Sequence, residues 1–214
     1  MAKKNDDLNQ LVGMMLKLAG IIIFSVFLIN TYLTFKKYSK KYSFDDADIR
    51  VHDAANPLRY IPVAIAWGVL LLLSAFGILY GVDKNNILIA SGSVIGFLIT
   101  IGGMFVLSSR IATTQVGMLT YKSKGIFVIP SDYRNNTLQD NILKLQAAKD
   151  LCSMEELPIK SVARVTRQGG TKVFIHGSFG TRCLSWRDKQ KRDECIAALE
   201  MACGRRLSSM DMGQ

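Results

Sequence analysis

The run YIPVAIAWGVLLLLSAFGILYGV from Tyr60 to Val82, the short link Asp83-Lys84-Asn85-Asn86 and the run ILIASGSVIGFLITIGGMFVLSS from Ile87 to Ser109 decide how the rest of the chain is read. Neither run carries a charged side chain. A helix rises about 1.5 Å per residue, so each run can cross a hydrocarbon layer of roughly 30 Å. Joined by four polar residues, they predict a transmembrane hairpin. A channel or transporter needs ionisable groups at membrane depth, and these runs have none, which argues against transport.

Upstream, Leu11 to Phe35 reads LVGMMLKLAGIIIFSVFLINTYLTF, with Lys17 its one charge. Ile21, Ile22, Ile23 and Phe24 cover every helical face, so this helix is predicted to be lipid-embedded and not to lie on the membrane surface. Lys17 reaches the headgroups if the span covers residues 18–35 and residues 1–17 form an N-terminal segment. No small-residue cleavage site follows, so an uncleaved span is expected in place of a signal peptide. Three spans result, at about 18–35, 60–82 and 87–109, with a polar connection over 36–59.

That connection begins KKYSKKY, and Lys36, Lys37, Lys40 and Lys41 crowd against the end of the first span. Cations next to a span stay on the cytoplasmic side, so the loop is expected inside, the Asp83–Asn86 turn outside and everything after Ser109 inside. The charge balance agrees. A chain of 214 residues with 49% hydrophobic residues still carries a formal charge of +10, and residues 110–214 hold 17 Lys and Arg against 10 Asp and Glu, a net of +7. Exporting that tail together with the lysine loop would oppose the same rule.

Within the hairpin, Gly77 and Gly81 in one run and Gly92 and Gly96 in the other repeat at four-residue spacing. Small residues at this spacing let helices approach closely in lipid. Packing of the hairpin on itself is the preferred reading, with a homo-oligomer as the alternative.

The tail changes period. GMLTYKSKGIFVIP, Gly117 to Pro130, reads as two strands around a turn at Ser123 to Gly125. A helix is expected from Thr137 to Cys152, with Leu138, Ile142, Leu145 and Cys152 on one stripe. Ile159 to Arg167, Thr171 to His176 and Thr181 to Trp186 form a three-stranded meander around glycine-bearing turns. Arg187 to Cys203 closes the tail as an amphipathic helix stopped by Gly204. Five strands and a closing helix make a small α+β domain over residues 110–214.

The segment LPIKSVARVTRQGGTKVFIHGSFGTRCLSWRDKQKRDECIAALE, with its strand, Trp, basic turn and closing helix, resembles the pleckstrin-homology-like (PH-like) domain that many bacterial membrane proteins carry beside their spans. The likeness covers about Gly117 to Gly204. It implies a cytosolic binding or assembly module at a bacterial inner membrane, without chemistry of its own. No cofactor is expected.

Candidate functional residues are few. His52 and His176 are the only histidines and neither has a second metal ligand at convincing spacing. Cys152, Cys183, Cys195 and Cys203 are separated by 31, 12 and 8 residues, unlike the paired spacing of zinc sites, and are expected to be free thiols in a reducing compartment. No nucleophile elbow, P-loop or dinucleotide fingerprint occurs, so an enzyme is not expected. The basic residues Lys36, Lys37, Lys40, Lys41, Arg182, Arg187, Lys189, Lys191 and Arg192 are the candidate binding surface, for membrane lipids with anionic headgroups or for an acidic protein partner. Nucleic acid is not favoured, because aromatics are sparse among the cations and Trp186 reads as core. The leading expectation is a non-catalytic membrane protein docking a partner in an envelope assembly such as a secretion or conjugation apparatus. A lipid-binding regulatory protein is the alternative, and a transporter component a distant one.

Overall fold

A computed structural model describes residues 2–132 and 145–207. The chain divides into two compact units, one made of Met1–Tyr32 and Pro62–Ser108, the other of Leu33–Ile61 and Ser109–Gln214.

The first unit is helical. Helix α1 is Ala2–Tyr42, α2 is Ile61–Asp83 and α3 is Ile87–Val116. Among the described residues three helices, over Gly20–Tyr42, Asn56–Asp83 and Ile87–Val116, are long and apolar enough to cross a membrane. The α2–α3 hairpin packs through its small residues. A Cβ on Gly77 would strike Ser93, one on Gly81 would lie 2.5 Å from the Ala90 nitrogen, and one on Gly96 would crowd Ser74. Gly92 differs, since a Cβ there meets nothing within 4 Å. Gly77, Gly81 and Gly96 thus lie against close neighbours within the hairpin, and Gly92 faces open space. Gly103 joins them, because the Trp67 ring occupies the space its side chain would need.

The second unit holds two antiparallel sheets. Strands β1 (Ile49–Val51), β2 (Met118–Tyr121), β3 (Ile126–Pro130) and β4 (Met154–Pro158) form a four-stranded sheet in that order. Strands β5 (Val162–Gln168), β6 (Lys172–Gly177) and β7 (Gly180–Ser185) form a three-stranded one. A short helix α4 (Gln146–Leu151) precedes β4, and α5 (Lys189–Cys203) ends the domain. Asp188 caps α5 by accepting the Lys191 N–H at 2.7 Å, and Gly204 ends it at φ 64°. A left-handed C-terminal glycine of this kind costs no Cβ strain.

Strands β2 and β3 read as unbroken apolar runs because both faces are covered. Met118, Phe127, Ile129 and Leu157 point into a core shared with Val165, Val173, Ile175, Trp186, Cys195 and Leu199. Their neighbours Leu119, Tyr121, Val128 and Met154 point the other way, against Tyr38 and Tyr42 of α1.

Four sequence expectations change. Among the described residues the domain has seven strands, not five, because β1 comes from the supposed polar connection and pairs with β2 as Ile49↔Thr120 and Val51↔Met118. β4 is the second addition. The lysines of KKYSKKY continue helix α1, held there by Tyr38 and Tyr42, which bury one face i to i+4. The expected helix over Thr137 to Cys152 falls mostly outside the described residues; where it is described, Leu145 is exposed and left-handed at φ 49°, so α4 starts after it.

Candidate functional site

The nine basic candidates do not form one patch. Lys36, Lys37, Lys40 and Lys41 are exposed on α1, whereas Tyr38 and Tyr42 are buried. Lys41 pairs with Glu156 at 3.1 Å and donates to the Tyr42 hydroxyl at 2.9 Å, whereas Lys36, Lys37 and Lys40 are in no ion pair among the described residues. Arg182 on β7 makes a bidentate pair with Glu155 on β4, both bonds at 2.7 Å. The Glu155 hydrogen bonds hold the Arg182 guanidinium above its ordinary pKa. This fork ties the two sheets together. Arg192 is buried, donates to the Gly170 carbonyl at 2.6 Å and pairs with Asp193 at 2.9 Å. Both arginines are thus committed to the fold. Arg187 and Lys189 are exposed, and Lys191 pairs with Glu194 at 2.6 Å, which raises its pKa.

The His176 ring nitrogens lie 2.9 Å from the Thr166 hydroxyl and 3.0 Å from that of Thr181, and burial lowers its pKa. Burial, with Arg50 and Lys191 nearby, lowers that of His52 as well. Among the described residues no cluster of three or more His, Cys, Asp or Glu could hold a metal ion. None of the four cysteines is in a disulfide, and burial pushes the Cys195 thiol up to about 12. A thiol so shielded is a packing group, not a nucleophile.

The sheet unit does contain one built cavity, of about 200 Å³. It is lined by Asn56, Arg59 and Tyr60, which precede α2, by Arg110 and Thr114 of α3, and by Asp132 and the β7 residues from Cys183 to Ser185. Each arginine is fixed by a carbonyl. Arg59 Nη1 donates to the Ser185 oxygen at 3.1 Å, which also accepts from Asn56 Nδ2 at 3.1 Å. Arg110 Nη1 donates to the Ser131 oxygen at 3.0 Å. Arg59 Nη2 donates to the Tyr60 hydroxyl at 3.0 Å. A guanidinium has five N–H donors, so these bonds orient both groups and leave donors over. Among the described residues neither Arg59 nor Arg110 is in an ion pair with a carboxylate. The Asp132 carboxylate meanwhile accepts the Cys183 N–H at 2.9 Å.

Two further features close this end of the domain. Arg50 donates to the Gln115 and Val116 carbonyls, both at 3.3 Å, where the end of α3 leaves acceptors open. Gly117 then turns at φ 77° so close to the Val51 carbonyl and His52 that no side chain would fit.

Sequence reasoning singled out the clustered lysines and passed over Arg59 and Arg110, each of which stands alone in its stretch. The signal that could have found them is position: one directly precedes the apolar hairpin and the other directly follows it.

No family model, curated protein or solved structure matches this chain.

Proposed function

We propose that the chain is a non-catalytic integral inner-membrane protein whose cytosolic PH-like domain docks a protein partner within a larger envelope assembly, such as a secretion or conjugation apparatus. The observation that carries this reading is the threading of the domain. Its residues come from both sides of the hairpin, 33–61 and 109–207, so the chain passes between the helical and sheet units three times. A domain tethered at three points is suited to presenting a surface at a fixed place on the membrane, and less to roaming on a linker for a soluble substrate.

The order of four strands, three strands and a C-terminal helix supports a PH-like domain, here with the α2–α3 hairpin inserted between β1 and β2. The threading also supports the topology. The pairing of β1 with β2 supports a single side of the membrane for the lysine-bearing segment and the basic tail, and their excess of cations favours the cytosolic side. The described bonds of Arg182, Arg192 and His176 serve the fold, which fits docking better than catalysis.

Cross-linking of the full chain in native membranes, read by mass spectrometry, tests the proposal. Cross-links from the exposed lysines to a recurring protein partner are expected. Recovery of a monomer alone, with linkers of several lengths, would sink it. The exposed Lys36, Lys37 and Lys40 favour a second reading, a regulatory protein whose basic face binds anionic lipid, and in that case the cross-links would go to lipid and not to protein.

A further inference from the structure

We propose that the cavity between Arg59 and Arg110 binds the phosphate of an anionic membrane lipid, with a small polyol headgroup such as that of phosphatidylglycerol. The inference rests on the reading of the helices as membrane spans, and not on the identity of any protein partner.

Charge and hydrogen-bond capacity point to a phosphate. Two guanidiniums face one cavity, each anchored through a backbone carbonyl and each with donors to spare. Guanidinium groups match phosphate oxygens with paired donors, and they are already oriented before a ligand arrives. The Tyr60 and Thr114 side chains line the same cavity. With Asp132 included, the lining carries a net charge of about +1, which suits a phosphodiester of charge −1 better than a zwitterionic headgroup. Size agrees as well. A cavity of ~150 Å³ admits a benzene-sized molecule, so about 200 Å³ takes a phosphate with a few attached atoms.

Chain position points to a lipid. Arg59 and Tyr60 are joined directly to Ile61, the first residue of α2, and Arg110 follows Ser109 at the end of the apolar run of α3. Residues at the two ends of a membrane hairpin lie at headgroup depth, where lipid phosphates are concentrated and where Tyr is enriched. The exposed lysines of α1 attract any anionic surface through a screened field. The cavity differs in being a site for one headgroup.

The test uses the full-length protein in detergent, stripped of lipid and offered phosphatidylglycerol, phosphatidylethanolamine, phosphatidylcholine or inorganic phosphate, with bound lipid counted by native mass spectrometry. One phosphatidylglycerol per chain is expected, held in preference to the zwitterionic lipids and not displaced by millimolar inorganic phosphate. At about 1 kcal/mol per interfacial cation, R59Q and R110Q should each weaken binding about fivefold, and K36Q/K37Q/K40Q less than twofold. Wild-type retention by R59Q/R110Q, equal retention of all lipids, or an equal loss in the lysine variant would overturn the proposal. Displacement by inorganic phosphate would reassign the site to a soluble ligand and overturn it too. If the double variant does not fold, the melting of the wild type decides, since phosphatidylglycerol must raise it more than phosphatidylcholine does. Release of the chain from membranes by alkaline carbonate would instead refute the membrane reading itself. Loss of lipid preference in a chain that stays membrane-bound refutes only the cavity.

Discussion

The helical unit and the sheet unit are both apolar, yet they spend that apolarity in opposite ways. In the sheet unit Met118, Phe127, Ile129, Val165 and Leu199 are at most 1% exposed, and they meet one another. In the helical unit Ile22, Phe24, Ile29, Ile65, Leu73, Leu98 and Ile99 are all more than half exposed. The first pattern is cohesion driven by water. The second gains nothing from helix–helix contact that lipid would not supply equally, so the helices are held by close approach at small residues and by a few polar bonds. One unit should therefore be sensitive to lost volume and the other to added volume.

The largest expected effect is Phe127→Ala. Phe127 is fully buried, with the Phe179 ring edge-on at 6.1 Å, and its loss should cost about 3–5 kcal/mol. Phe24→Ala, at a residue 60% exposed, should leave thermal unfolding of the purified chain almost unchanged. Equal losses would break the comparison and mean that α1 has a protein partner on that face. Next is the pH response of the sheet unit. Burial holds the Cys195 thiol neutral in the fold, up to about 12 against an ordinary 9.0. A raised pKa means that this contribution is complete below pH 9.0 and is lost as the pH climbs toward about 12. The unfolding midpoint of the wild type should fall over that window more steeply than that of Cys195→Ala, and parallel curves would show that Cys195 is not shielded.

How much of this was legible in the sequence divides along the same line. The hairpin could be read because span length is a local property of composition. Strands β2 and β3 could be read because β-branched residues flank a glycine turn. Strand β1 could not, since Ile49–Val51 is three residues in an acidic stretch and exists through its pairing with residues 118–120. Nor could β4, whose Met-Glu-Glu-Leu favours helix by propensity and whose Met154 and Leu157 face opposite sides, removing the alternation that marks a strand. For the candidate site, the lysines were visible as a cluster, but Arg182 could not be discounted without Glu155, which is 27 residues away. The pairing of Arg59 with Arg110 across one cavity is likewise a product of the fold, separated in the chain by the whole hairpin.

Added volume sharpens the comparison from the other side. Gly81→Val would press a side chain into the Ala90 backbone and should cost about 1–3 kcal/mol through separation of α2 from α3. Gly92→Val, with open space around it, should cost far less, as measured by thermal unfolding or protease resistance in detergent. If Gly92→Val proved the more damaging and also changed the oligomeric state, the open glycine face would be an interface between copies.

The smallest effect concerns what joins α1 to the hairpin. An apolar cavity of about 200 Å³ lies between Ile22, Ile23, Val26 and Phe27 of α1 and Ile101, Met104 and Phe105 of α3, so the packing there is loose. Beside it Asn30 Nδ2 donates to Ser108 Oγ, and Ser108 in turn donates to the Phe105 carbonyl at 2.9 Å. Ser108 is completely buried although it sits in a span. Interhelical polar bonds in membranes contribute about 0.6 kcal/mol on average, because separated helices find other partners for the same groups. Asn30→Leu and Ser108→Ala should therefore each lower the unfolding midpoint slightly, and the double variant no more than the larger single one. An effect approaching that of Phe127→Ala would mean that a single polar bond, and not the sum of loose apolar contacts, holds α1 to α3. Additive losses in the double variant would mean that the bond does not form in the membrane, leaving the loose apolar contacts to hold α1 to α3.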